Sequence, residues 1–127
     1  MASRDEVVSY LDEELGIAEV EEESLNGLQV QGAGEITAVA LATDAALATY
    51  RRAADLGCEM ILAHHGILWG RPFPITGAMY EQLSFLLARS LNLYAAHLPL
   101  DMHPTLGNNA QLVRMVGIEH PEPFGRY

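Results

Sequence analysis

This chain contains no lysine and a single cysteine. One thiol, Cys58, excludes an intrachain disulfide and any zinc site built from several cysteines. It opens an apolar run, where a buried, inert thiol is expected. Positive charge comes from seven arginines, set against 17 acidic residues, for a net charge of −10. So acidic a chain lacks the field that non-specific binding to nucleic acid or to an anionic membrane surface requires. A membrane-length apolar run is also missing, and Met1-Ala2-Ser3-Arg4-Asp5-Glu6 has no signal-peptide core. A cytoplasmic location is the resulting expectation. What is present is 127 residues, half of them hydrophobic. That is enough for one domain over residues 1–127, burying roughly two-thirds of its unfolded surface.

Taken in order, Ser3 and Glu6 have the spacing of a capping box, and Val7, Val8, Leu11 and Leu15 follow as one apolar stripe up to Gly16. The acidic stretch Glu19–Glu23 reads as a solvated face with no binding role. Asn26-Gly27 carries turn chemistry, so Leu25–Val30 reads as a loop lying against a sheet. Ile36–Ala42, small and β-branched, predicts a strand covered on both faces. Thr43 and Asp44 can cap a helix over Ala45–Leu56, with Leu47, Tyr50, Ala54 and Leu56 inward and Gly57 ending it. Cys58–Ala63 predicts a second strand. The segment Gly66–Pro74 is then a loop anchored by Trp69 and Phe73, rings that also have the shape to stack a planar base. Thr76 can cap a third helix that turns Met79, Leu83, Leu86, Leu87 and Ser90 to the core. Leu91–Ala96 is the third strand. A fourth helix, Asn108–Val116, buries Leu112, Val113 and Val116, and His120–Tyr127 is a linker. Strand, helix, strand, helix, strand predicts an α/β fold: a parallel βαβαβ sheet covered by helices.

Ligands of open parallel sheets sit beyond the carboxyl ends of the strands. Here those ends carry Thr43-Asp44, His64-His65 and His97 with Asp101. Imidazole and carboxylate suit a divalent Zn, Mn, Fe, Co or Ni ion. His64, His65 and Asp101 are the candidate ligands. His97 is a further ligand or an acid–base partner. Neighbours on an extended strand point to opposite faces, so the doublet suits two ions, or one ion and one other task. Asp44 reads as a helix cap, and His103 and His120 as bystanders. Gly107-Asn108-Asn109 opens a helix whose free N–H groups suit a phosphate or carboxylate, although Asn is also a routine N-cap.

Four motifs in this order, Asn26-Gly27-Leu28-Gln29-Val30, His64-His65-Gly66 with Trp69, His97-Leu98-Pro99-Leu100-Asp101 and Gly107-Asn108-Asn109, resemble the Nif-three-like family. Its members are also called dinuclear-metal-centre proteins or GTP cyclohydrolase I type 2 homologues. The resemblance spans nearly the whole chain. It implies an α/β subunit of a toroidal hexamer, with paired divalent metals on the inner wall. His64 and His65 would each bind a different metal, Asp101 would be a further ligand, and His97 would lie at the same site. The implied activity is metal-dependent hydrolysis of a small molecule, with opening of the GTP purine ring proposed for some members. Family members are usually longer, and their second half adds a His and a Glu that complete the dinuclear site. In that hydrolase reading His97 shuttles a proton; from the residues of this chain, two His and one Asp with His97 able to join them, at most one tightly held ion is expected. The alternative is a non-catalytic metal-binding or interaction module, or a fragment with an incomplete site.

Overall fold

The structure, a computed structural model, describes residues 1–122. A short strand β1 (Ala2–Ser3) leads into α1 (Arg4–Glu14). Ser3 caps that helix as its spacing predicts: its hydroxyl accepts from the Glu6 amide while the Glu6 carboxylate accepts from the Ser3 amide. Gly16 follows in the left-handed region at φ 60°, open to glycine at little cost, and the helix stops there. Then come β2 (Gly27–Val30), β3 (Glu35–Ile36), β4 (Val39–Asp44), α2 (Leu47–Asp55), β5 (Met60–His65), α3 (Gly77–Ala88), β6 (Asn92–Ala95), α4 (Leu98–Met102) and α5 (Asn108–Met115).

The main sheet has the order β2-β6-β5-β4. β4, β5 and β6 run parallel, connected through α2 and α3, so the expected βαβαβ unit is present. The fourth strand is a correction. Gly27–Val30 is not a loop but an edge strand, antiparallel to β6, with Gly27 opposite Ala95 and Leu28 opposite Tyr94. Gly27 starts it at φ 97°, so the Asn-Gly turn chemistry serves to enter a strand.

The expected strand Ile36–Ala42 is also divided. Glu59 takes the Thr37 and Ala38 amides at 3.0 Å each and the Thr37 hydroxyl at 2.9 Å, bending the chain there. Ile36 thereby pairs with Ala2 in a separate two-stranded ribbon, and β4 begins at Val39. β4 is covered on one face only: Leu41 is 78% exposed, where a two-faced burial was expected.

One face of the sheet packs Ile61, Ala63 and Leu93 against Tyr50 and Ala53 of α2 and Leu86 of α3. The other packs Met60 and Tyr94 against Val7, Val8 and Leu11 of α1. Leu87 of α3 lies outside the core, because it is one residue, about 100° of helix, beyond Leu86, and Ser90 falls past the end of α3 and is exposed. Leu56 is likewise exposed, and the buried residues of α2 are Tyr50 and Ala53. On α5, Leu112 and Val116 are exposed where burial was expected. Cys58 lies ahead of β5 and is half-buried against the core rather than enclosed. Part of the tail expected as a linker, from Pro123 onward, falls outside the described residues. Among the described residues, no helix is long and apolar enough to cross a membrane.

The parallel strands all end on one edge of the sheet. Asp44 and His65 are register partners at the ends of β4 and β5. The Ala96 amide, donating to the Ala63 carbonyl at 3.0 Å, carries the ladder one residue past β6, and His97 follows.

Candidate metal centre

Three imidazoles meet at that edge. The ring centres of His64 and His65 are 4.5 Å apart, those of His64 and His97 are 5.0 Å apart, and those of His65 and His97 are 5.6 Å apart. One ligand nitrogen from each lies within 4.8 Å of the other two. Strand alternation therefore does not separate the doublet. Both residues end β5, and their rings are tethered sideways, His64 toward β6 and His65 toward β4.

Each tether uses the same ring atom. His64 Nδ1 meets the Ala96 carbonyl at 3.0 Å, His65 Nδ1 meets Asp44 Oδ1 at 2.7 Å, and His97 Nδ1 meets Glu22 Oε2 at 2.6 Å. A carbonyl or carboxylate oxygen only accepts, so Nδ1 must be the protonated nitrogen in each ring. The neutral ring then keeps a lone pair on Nε2. Metal-binding histidines are commonly held in this way, the second nitrogen donating to an oxygen that fixes tautomer and orientation. Asp44 thus has a different task from the helix cap expected of it. The N-cap of α2 is Ala46, which makes no side-chain cap, while Asp44 orients His65.

Asp101 comes to the same place on α4, a five-residue helix with Pro99 in its first turn and His97 as its N-cap. Asp101 Oδ2 is 3.5 Å from His64 Nε2. Its other oxygen accepts from Asn108 Nδ2 at 2.9 Å, and its backbone carbonyl accepts from Asn109 Nδ2 at 3.3 Å. Gly107, the N-cap of α5, lets that helix close onto α4: a Cβ there would come within 2.5 Å of the His103 and Leu100 carbonyls. The carboxylate that Gly107-Asn108-Asn109 holds is one of the chain's own.

The residues around the doublet are pinned from β2. Gln29 Oε1 accepts the Ile67 amide at 2.7 Å and the Leu68 amide at 3.3 Å, while its Nε2 donates to the Leu25 carbonyl at 2.6 Å. Gly66 passes so close to Gln29 and Ala95 that a Cβ would sit 2.4 Å from Gln29 Nε2 and 2.6 Å from Ala95 Cβ. Trp69 donates from Nε1 to the Gly66 carbonyl at 3.0 Å and stands edge-on to His97, ring centres 5.0 Å apart. Trp69 is thus a wall of the His97 site, but neither it nor Phe73 packs on the core as expected: they are 38% and 37% exposed.

Glu22 is the residue that sequence reasoning missed. It belongs to the stretch taken for a solvated face, yet its side chain is 1% exposed. Oε2 takes His97 Nδ1, and Oε1 takes Asn26 Nδ2 at 2.7 Å and the Leu98 amide at 2.9 Å. Burial pushes the Glu22 carboxyl up, but these hydrogen bonds outweigh it and hold the group below the ordinary glutamate range. Asn26 completes the arrangement by accepting the His97 amide on Oδ1 at 2.7 Å. His103 does not join the cluster. It holds the turn after α4, accepting the Leu106 amide on Nδ1 at 3.0 Å and bonding the Glu14 carbonyl through Nε2 at 3.1 Å, so it is no bystander. His120 is exposed.

Three imidazoles and a carboxylate form a donor set suited to a borderline divalent cation. The parallel strand ends of this α/β sheet thus carry a cluster of potential metal ligands. The chain belongs to the Duf34/NIF3 (NGG1p interacting factor 3) family, whose pattern matches residues 2–127. It is 47% identical over 124 residues to a "GTP cyclohydrolase 1 type 2 homolog" of Pyrococcus horikoshii, covering 98% of this chain and 50% of that protein. It is 47% identical over 122 residues to the protein of the same description in Deinococcus radiodurans, covering 96% and 46%. A crystal structure from Thermus thermophilus superposes with a TM-score of 0.93 at 44% identity, over 97% of this chain and 51% of that one. The chain thus spans about half the length of these relatives.

Proposed function

We propose that residues 1–127 form one α/β domain that binds a divalent metal through His64, His65 and Asp101 and takes part in metal-dependent hydrolysis. His97 takes a proton from the attacking water and returns it to the leaving group. The observation that supports this most directly is the shared use of Nδ1. All three rings spend that nitrogen on a protein oxygen, which frees three Nε2 lone pairs at one strand edge. A divalent ion there would supply Lewis acidity and lower the pKa of a bound water. The chain's own part is to hold the donors rigid through Asp44, Ala96, Asn108 and Gln29, and to present a proton acceptor on His97. Trp69 shields one side of that ring.

The substrate class proposed is a nucleotide, after the GTP cyclohydrolase 1 type 2 description that the relatives carry, and the working form is a cytoplasmic homo-oligomer. The test is hydrolysis of a nucleotide and phosphoester panel by metal-loaded protein, with EDTA and His64→Ala as controls. Activity lost in both controls supports the reading. A metal-loaded, assembled protein that is more heat-stable yet inert to the panel would instead make the site a metal-binding module without turnover.

A further inference from the structure

We infer that Glu22 is a positioning residue: it locks His97 in the tautomer that leaves Nε2 free to accept a proton. The inference rests on the proposed role of His97 and adds the residue that enables it. His97 is held at two points. Asn26 accepts its backbone amide at 2.7 Å, and Glu22 accepts its ring Nδ1 at 2.6 Å. Glu22 is in turn held by Asn26 Nδ2 and by the Leu98 amide, so ring and backbone are fixed by one connected network. The carboxylate side chain is 1% exposed, and its ring partner is His97. An acid so enclosed is a costly choice for packing alone, since a buried charge must be matched by donors. Here the match is three donors and no acceptor.

That pattern makes the carboxylate chemically specific. Oε1 faces two N–H donors, from Leu98 and Asn26, and Oε2 faces the ring. A glutamine of the same shape has one oxygen to offer. Two donors on one side hold that oxygen there, so the amide NH₂ turns to His97 Nδ1. Nδ1 must then become the acceptor, and the ring proton moves to Nε2. Glu22→Gln therefore reverses the His97 tautomer with almost no change of volume.

The experiment is long-range ¹H–¹⁵N NMR of the histidine rings in metal-free protein at about pH 8, where an unperturbed imidazole is neutral. In the unsubstituted protein His97 is expected with Nδ1 protonated and Nε2 bare. In Glu22→Gln the two nitrogens exchange roles, His64 and His65 keep their signals, and the thermal midpoint in EDTA falls by a few degrees at most. A bare Nδ1 on His97 in the unsubstituted protein would overturn the inference without any variant. So would a Glu22→Gln protein that folds and keeps the Nδ1–H form. Because the readout needs neither metal nor substrate, it stands or falls apart from the hydrolase reading. Inactivity of the loaded protein would leave the tautomer result intact.

Discussion

Nε2 of His64 stands 3.5 Å from Oδ2 of Asp101, while Nδ1 of the same ring is engaged by the Ala96 carbonyl. In the neutral ring, two lone pairs then face each other across that gap. Such an arrangement is unfavourable by itself and becomes favourable with a cation between them. A divalent ion should therefore raise the thermal midpoint, by about 2.7 kcal/mol of stability when its concentration is 100 times its Kd. Asp101→Asn should cut that gain substantially at the same ion concentration. Scanning calorimetry with Mn²⁺ or Zn²⁺ against EDTA measures both. Equal midpoint shifts in the two proteins would remove Asp101 from the ligand set.

Gly66→Ala should damage the site through backbone displacement. The added methyl would meet the Gln29 amide and the Ala95 side chain at well under contact distance, and Ala95 belongs to a fully buried strand. Overpacking of this kind costs about 1–3 kcal/mol. Urea unfolding would show that loss, and metal affinity should fall with it as Gln29 releases the Ile67 amide. A variant with unchanged stability and affinity would mean the loop yields more readily than its contacts imply.

The contrast between Ser3–Glu6 and Glu22–His97 explains what was legible in the sequence. The capping box joins residues three apart, and the βαβαβ unit repeats local patterns of apolar residues and turn punctuation, so both could be read from short windows. The His64-His65 doublet was legible because charge-capable rings interrupt an apolar run. Glu22 meets its partner 75 positions away. Nothing distinguishes it locally from Glu21 and Glu23 beside it. The helix carrying Asp101 has five residues, too few for a hydrophobic period. The strand Gly27–Val30 was hidden because its four residues offer no clean alternation and start with turn chemistry. On α5 the stripe of Leu112 and Val116 correctly marks an amphipathic helix, yet a stripe alone cannot say whether this chain covers it.

Glu59 predicts an acid-sensitive contribution to stability. The Thr37 and Ala38 amides, with the Thr37 hydroxyl, hold its carboxyl below the ordinary glutamate value. A depressed folded-state pKa stabilises above the unfolded value, about 4.3, and the stabilisation disappears as pH falls through the folded one. Glu59→Gln should therefore be less stable than the unsubstituted chain near neutrality, and the gap should narrow below about pH 4.3. Urea midpoints measured across pH 3–7 would reveal a constant gap if the carboxylate's charge were irrelevant.

The metal stoichiometry follows from how the acids near the site are already committed. Two cations a few ångströms apart repel strongly, and shared carboxylates normally offset that repulsion. Glu22 has both oxygens occupied by donors. Asp44 spends Oδ1 on His65 Nδ1. Asp101 has one oxygen on Asn108 and the other toward His64. With His97 reserved for proton transfer, Asp101 Oδ2, 3.5 Å from His64 Nε2, is the carboxylate oxygen that faces the nitrogens of His64 and His65, a donor set sized for one ion. The 127-residue chain should therefore take up no more than one tightly held divalent ion, and lose it readily to EDTA. Elemental analysis after exhaustive metal loading and desalting, paired with isothermal titration, measures the count. Two ions per chain at saturation, both ligated by this chain alone, would refute it and would require one of the committed carboxylates to leave its partner.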